Sequence, residues 1–191
     1  MKKLLGSLFL WFYRLDMPDV ALLVLSLTVL FLLMHNWLSN KHWWQCLIGS
    51  ALVSLLCVII YSTIFARDGG NLLQHNLVPF HSYREVRSGG NIEIYRSNFM
   101  NMVLFYPAGL LAASLLTRKW PGWCRCVLVV TVLAILSAGI EFLQYHFRLG
   151  RCEIDDVIHN TAGALLGCLA AVVLPRLPAS IKGASEVKKL K

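Results

Sequence analysis

The densest set of groups that could do chemistry lies between two long apolar runs, in residues 141–160. Its polar members are Glu141, Gln144, Arg148, Arg151, Glu153, Asp155, Asp156, His159 and Asn160. A charge at membrane depth is costly, so such groups usually pair with one another or line a functional cavity. Glu141 and Asp156 are the candidates for proton transfer, because positioned carboxyl groups serve as general acids and bases.

Helical spacing orders these side chains. Glu141 and Gln144 are three residues apart, so they share one face of their helix. Asp156 and Asn160 are four residues apart and share a face of the next helix. Gln144 and Asn160 therefore stand where they can orient the two carboxyl groups.

Two glycines continue the second of these faces. Gly163 and Gly167 follow Asn160 at helical spacing and form a small-xxx-small strip. Such strips allow the backbones of two membrane helices to approach closely. The spacing therefore predicts a neighbouring helix packed against this strip.

Structural interpretations of the same residues stay open. Asp155 or Asp156 could cap the helix that begins there, since short acids satisfy the free amides of a helix start. Glu141 could form an ion pair with Arg148 or Arg151, and Asn160 could only bridge helices. No compact set of His and Cys with metal-ligand spacing accompanies these residues, so we expect no metal site.

Composition places the chain in the membrane class. Hydrophobic residues make up 57% of the 191 residues and charged residues only 15%, too few for the surface of a soluble domain of this size. The net charge of +8 comes from Lys and Arg that flank the apolar runs. That pattern is typical of juxtamembrane charge and gives no support to nucleic-acid binding. The positions of the six cysteines do not suggest a disulfide framework.

The apolar runs predict an all-α, polytopic helical bundle. Five spans are expected, at about residues 20–37, 43–66, 99–116, 126–147 and 155–174. Residues 1–19 are interpreted as an N-terminal segment with a short interfacial helix, residues 20–175 as the transmembrane domain, and residues 176–191 as a basic tail. Pro107 lies inside the third span, where it removes a backbone donor and predicts a kink.

Five spans place all the polar helix ends on one side of the membrane, which we call the motif face. The loop of residues 67–98, the start of the third span and the turn of residues 148–153 all fall there. Asn101, Arg84 and Arg87 are thereby expected near the acids. Lys and Arg residues are evenly divided between the two faces, and setting aside the arginines that the acids would hold favours a motif face outside the cytoplasm.

The order and spacing of these motifs resemble the VanZ-like family of bacterial integral membrane proteins, named for a protein linked to teicoplanin resistance. The motifs are N-x3-F-x-P-x-G at Asn101, Phe105, Pro107 and Gly109, E-x2-Q at Glu141 and Gln144, then Arg151, Glu153, and D-x3-N-x2-G-x3-G at Asp156, Asn160, Gly163 and Gly167. The phrase LVPF before the third span also matches. The resemblance implies a multi-pass protein of the bacterial cytoplasmic (inner) membrane that contributes to glycopeptide tolerance.

Two functions from different classes fit this sequence. In the first, the protein binds or acts on an anionic envelope lipid or a lipid-linked precursor. Arg84, Arg87 and Arg151 would hold phosphate, for which guanidinium is suited. Asn101, Gln144 and Asn160 would contact the ligand. In the second, the protein is a non-catalytic accessory protein whose polar cluster only holds helices together.

Other functions have less support from the sequence. The sequence shows no inverted repeat of the kind that many transporters contain. No nucleophile beside a base is visible along the sequence, and no cofactor is expected.

Overall fold

The computed structural model describes residues 17–38, 41–65, 74–91, 93–116 and 119–173. The predicted interfacial helix of residues 1–19 lies outside these ranges except for residues 17–19, and the basic tail of residues 176–191 lies wholly outside them. Arg151 is described by its backbone alone.

The described residues form six α-helices and two short strands. In chain order they are α1 (Met17–Leu38), α2 (His42–Ile60), β1 (Gln74–Asn76), α3 (His81–Arg87), α4 (Glu93–Leu115), α5 (Gly122–His146), β2 (Arg151–Glu153) and α6 (Ile154–Val173). A π-helical segment, Tyr61–Phe65, continues α2. Five of these helices, all but α3, are long and apolar enough to cross a membrane. The all-α polytopic bundle is confirmed.

The third span begins earlier than its hydropathy predicts. α4 starts at Glu93, six residues before the expected Phe99, because local hydrogen bonds begin a helix before the apolar run does. The side-chain oxygen of Asn91 accepts the N–H of Glu93 at 2.9 Å, which satisfies one of the free donors of the helix start. The helix then continues through Pro107 to Leu115.

A two-stranded parallel ladder joins the long loop to the last turn. β1 pairs with β2 in the register Gln74 with Arg151, His75 with Cys152 and Asn76 with Glu153. The two segments lie 77 residues apart in the sequence at each pair and meet at the same end of the bundle. The predicted common face of the long loop and the 148–153 turn is confirmed.

The closest helix contact in the core is between α4 and α6. A Cβ atom placed on Gly163 would overlap the backbone carbonyl of Met102, and one on Gly167 would overlap that of Tyr106. Gly109 on α4 meets the carbonyl of Ala164 in the same way. The predicted close approach at the glycine strip is confirmed, and its partner is α4. Because α4 and α6 also carry most of the polar residues, this contact fixes the geometry of the motif face.

Candidate functional site

The polar residues of the motif face fall into two groups. The inner polar cluster comprises Asn101, Glu141, Gln144, Asp156 and Asn160, in the halves of α4, α5 and α6 that are nearest the motif face. The outer network comprises Phe80, Ser82, Tyr83, Asn98, Asp155 and His159, where α3 covers α4 and α6. Both groups depend on α6, which contributes Asp156 and Asn160 to one and Asp155 and His159 to the other.

In the inner polar cluster, Glu141 ties α5 to the strand before α6. It is only 5% exposed, and its Oε2 accepts the backbone N–H of Glu153 at 3.0 Å. Cys152 precedes Glu153 in β2. Burial raises the pKa of the Cys152 thiol, and the carboxylates of Glu141, Asp156 and Glu153 raise it further. The thiol is therefore held protonated at neutral pH, and the three acids make this end of the cluster electronegative.

Asp156 connects the cluster to α4. Its Oδ1 accepts a hydrogen bond from Nδ2 of Asn101 at 2.8 Å. The structure thus brings together the asparagine of the third span and the aspartate of the fifth, which are 55 residues apart in the sequence. An amide that donates to one carboxylate oxygen fixes that side chain while the group remains an acceptor.

Two buried amides in the cluster use their donors but not their acceptors. Gln144, 1% exposed, donates from Nε2 to the carbonyl of Thr63 at 3.0 Å. Asn160, 7% exposed, donates from Nδ2 to Oγ of Ser137 at 2.9 Å. Gln144 Oε1 and Asn160 Oδ1 have no hydrogen-bond partner among the described residues. Buried acceptors are nearly always paired, so each of these two oxygens has the capacity to accept a further hydrogen bond.

In the outer network, a single carboxylate organises α3. Asp155 is buried, and its Oδ1 accepts the N–H of Phe80 at 2.5 Å. Its Oδ2 accepts both the N–H and the hydroxyl of Ser82, at 2.8 and 2.5 Å, and Asn98 donates to the same hydroxyl at 3.0 Å. Phe80 precedes α3 in a left-handed conformation with φ 59°. Asp155 therefore caps the start of α3 from a different helix, so the capping expected of this residue occurs on α3 and not on α6.

A second contact holds the next residue of α3. The hydroxyl of Tyr83 lies 2.7 Å from Nε2 of His159, and the two rings stack with centroids 5.6 Å apart. Nδ1 of His159 lies 2.5 Å from the backbone carbonyl of Asp155. His159 is thus bonded at both ring nitrogens.

Of the arginines predicted to hold phosphate, Arg84 and Arg87 are exposed at the rim of the motif face, and the side chain of Arg151 is outside the described part of the chain. Arg84 is exposed on α3 and donates from Nη2 to the carbonyl of Pro79 at 2.9 Å. Arg87 is exposed one turn further along α3. Arg151 lies in β2 by its backbone, next to the acids in the sequence, and its side chain is outside the described part of the chain. Their roles in binding stay predictions.

Sequence reasoning missed Ser82 and Tyr83. Their partners Asp155 and His159 are 73 and 76 residues away, so no local spacing joins them. The sequence signal that could have found them is the LVPF phrase, which ends at Phe80, two residues before Ser82. In the described ranges, no group of three or more His, Cys, Asp or Glu side chains is placed to hold a metal ion.

Comparison with known proteins agrees with this architecture. The family model VanZ/LLP1 matches residues 21–175, which include all five spans almost completely. The chain is 28% identical over 128 residues to Protein VanZ of Enterococcus faecium, a match that covers 63% of this chain and 68% of that protein. No solved structure matches the chain. With its five apolar helices, the protein is a multi-pass membrane protein, and it belongs to the VanZ/LLP1 family.

Proposed function

We propose that this protein binds an anionic lipid or a lipid-linked precursor of the bacterial cell envelope at its motif face, in the cytoplasmic (inner) membrane. Through that binding it contributes to tolerance of glycopeptides such as teicoplanin. The observation that carries the proposal is the pair of buried amide oxygens of Gln144 and Asn160, which have no hydrogen-bond partner among the described residues.

The distribution of charge indicates how such a ligand lies. Arg84 and Arg87 are exposed on α3, so a phosphate group is attracted to the rim of the site. Glu141 and Asp156 lie deeper and repel a phosphate. The deeper part of the ligand therefore carries hydrogen-bond donors, such as sugar hydroxyls or amides, which match the free acceptors of Gln144 and Asn160. A phosphate joined to a donor-rich group has both features.

An apolar groove supports a lipid as the ligand. A cavity of about 380 Å³ lies between α1, α2 and α4, and its α4 wall runs from Val103 to Leu111. Pro107 and Leu104 form part of this wall. The polar residues of the lining are Thr28 and Tyr106, and their hydroxyl oxygens lie 3.0 Å apart in a hydrogen bond. A hydrocarbon chain in the groove would therefore leave neither hydroxyl without a partner.

The acid–base assignment of Glu141 and Asp156 belongs to the same proposal. Glu141 accepts a hydrogen bond from the backbone amide of Glu153, and Asp156 accepts one from the side-chain amide of Asn101. Hydrogen bonds of this kind fix the orientation of a carboxylate and leave it able to accept a proton from a bound group. A reaction on the headgroup would use these two carboxylates, and simple binding would use them to receive donors.

Lipid that stays with the purified protein tests the proposal. Wild type and Glu141→Gln are purified from bacterial membranes in a mild detergent, and bound lipids are identified by mass spectrometry. We expect an anionic lipid enriched in the wild type and depleted in Glu141→Gln. Glu93→Gln, the same change at an exposed position on α4, is the matched control and should retain the lipid. Equal lipid profiles for all three proteins would contradict the proposal.

The accessory alternative predicts a different set of results. If the cluster only holds helices together, Glu141→Gln should lower the melting temperature and the membrane yield along with any protective effect. A teicoplanin-sensitive host that expresses each variant supplies the second measurement. Loss of protection by a stable, well-expressed Glu141→Gln would support binding. Protection that survives in a stable variant would support the accessory function.

A further inference from the structure

Tyr83 and His159 form a close pair at the surface of the motif face. They come from α3 and α6, and the phenol oxygen lies 2.7 Å from Nε2 of the imidazole. Along the sequence no nucleophile lies beside a base, but the fold brings the Tyr83 hydroxyl and the His159 imidazole within hydrogen-bond distance. The proposed function does not use either residue.

The hydrogen bonds define the tautomer of His159. Nδ1 lies 2.5 Å from the backbone carbonyl of Asp155, and a carbonyl can only accept. Nδ1 therefore carries the proton, and in the neutral ring Nε2 carries the lone pair. The hydroxyl of Tyr83 must then donate to Nε2. A hydroxyl that donates to a base, with the base oriented by a third group, is the arrangement that activates nucleophiles in enzymes.

The pair is also accessible on one side and shielded on the other. Tyr83 is 40% exposed, whereas His159 is 4% exposed. The ring of Tyr83 lies between His159 and Tyr95, whose centroid is 5.4 Å away. The preceding residue, Ser82, is fixed by its two hydrogen bonds to Asp155. The phenol is thus held in place and partly exposed, with its base kept from bulk water.

We infer that Tyr83 is a reactive nucleophile and that His159 is its general base. The substrate class, a phosphoryl group of the bound lipid headgroup, rests on the proposed function, since Arg84 beside Tyr83 attracts a phosphate. In the step, the phenol oxygen attacks phosphorus, and its proton passes to Nε2 of His159. The bond from phosphorus to the leaving alcohol breaks, and His159 returns the proton to that alcohol. The products are a phosphotyrosyl protein and a free alcohol.

An aryl sulfonyl fluoride tests the reactivity without knowledge of the natural substrate. The reagent transfers its sulfonyl group to a phenol and releases fluoride. The full-length protein in lipid nanodiscs is labelled for a series of times, and the modified peptides are quantified by mass spectrometry. We expect Tyr83 to react faster than Tyr95, a partly buried neighbour that serves as an internal reference. Equal rates at Tyr83 and Tyr95 in the wild type would overturn the inference.

Variants assign the effect to His159. In His159→Gln, which keeps a polar side chain but removes the base, the labelling rate of Tyr83 should fall by on the order of 10²-fold, a typical contribution of general-base assistance. The rate at Tyr95 should not change. His146→Gln, the same substitution at an exposed histidine of α5, should leave both rates as they are. An unchanged Tyr83 rate in a folded His159→Gln would reduce the pair to a structural contact. If His159→Gln does not fold, His159→Asn, a smaller amide at the same position, is measured in its place.

Two further results separate this inference from the proposed function. A fluorophosphonate probe should also modify Tyr83, and reaction with the sulfonyl reagent alone would overturn the phosphoryl substrate class. A reactive Tyr83 in a protein that retains no anionic lipid would contradict the proposed function and leave the pair intact. Retained lipid with an unreactive Tyr83 would contradict the pair and leave the proposed function intact.

Discussion

The outer network and the inner polar cluster lie at the same end of α6 but use their buried oxygens in opposite ways. In the outer network, both oxygens of the Asp155 carboxylate accept hydrogen bonds, three in all, and the serine hydroxyl among those donors is itself bonded by Asn98. In the inner cluster, Gln144 and Asn160 each leave an acceptor without a partner within the described residues. A saturated network specifies shape, whereas an unsaturated one retains binding capacity.

The adjacent acids Asp155 and Asp156 have different roles. Asp155 stabilises the fold, because its hydrogen bonds hold the start of α3. Asp156, the next residue, points to another face of the helix and meets Asn101. Successive residues of a helix project about 100° apart, so one helix turn can supply both a structural anchor and a site residue.

The largest effect is expected at the glycine strip, because both regions depend on it. In Gly163→Leu, the new side chain meets the backbone of Met102 and separates α4 from α6. Asn101 on α4 would then lose its partner Asp156 on α6. We expect the folded protein to disappear from membranes, as measured by fluorescence-detected size exclusion. Gly139→Leu on α5, where a Cβ atom meets nothing within 4 Å, is the control and should fold. Normal yield of Gly163→Leu would show that the strip does not carry the α4–α6 contact.

A smaller but still large effect is expected for the outer network. Asp155→Asn replaces one acceptor oxygen with an NH2 group that faces the backbone donors of Phe80 or Ser82. Charge-assisted hydrogen bonds contribute about 1.5–3 kcal/mol each, so the loss of stability should be roughly 3–5 kcal/mol. Thermal unfolding in detergent measures it. A melting temperature equal to that of the wild type would mean that α3 is held by other contacts.

How well each region could be predicted from the sequence depends on how far apart along the chain its interacting residues lie. The spans and the glycine strip were predicted because hydropathy and small-residue spacing are local properties of one helix. The convergence of Asn101, Glu141 and Asp156 on one face followed from counting the spans. The contacts of Asp155 with Ser82 and of Tyr83 with His159 were not predicted, since they join residues more than 70 positions apart through a short helix with no span of its own. The start of α4 was placed too late, because hydropathy does not show the hydrogen bond that the N–H of Glu93 donates to the side chain of Asn91.

For the inner cluster, we expect loss of function with little loss of stability. Glu141→Gln and Asp156→Asn keep the shape of each side chain and most of its hydrogen bonding, and they remove the charge. Teicoplanin susceptibility of a sensitive host should return to that of the empty vector, while the melting temperature shifts far less than in Asp155→Asn. A fall in stability as large as that of Asp155→Asn would place the inner cluster with the outer network, because a stranded buried charge costs about 3–5 kcal/mol.

The smallest effect on stability is expected at Gln144, and it is the sharpest test of the difference between the two regions. Gln144→Met keeps the length of the side chain and removes both the unpartnered oxygen and the hydrogen bond to Thr63. The lost hydrogen bond should cost about 1 kcal/mol, and removal of a buried acceptor that has no partner should offset part of that cost. Stability should therefore change by less than about 1 kcal/mol, whereas retention of the anionic lipid should fall because its donor loses an acceptor.

Ser82→Ala in the outer network is the matched comparison, since it also removes a buried polar group but breaks bonds to Asp155 and Asn98 that are already made. It should lower the melting temperature more and leave lipid retention unchanged. If Gln144→Met instead destabilises the protein as much as Ser82→Ala and still retains the lipid, the free oxygen of Gln144 has no part in binding, and the inner cluster holds the helices together as the outer network does.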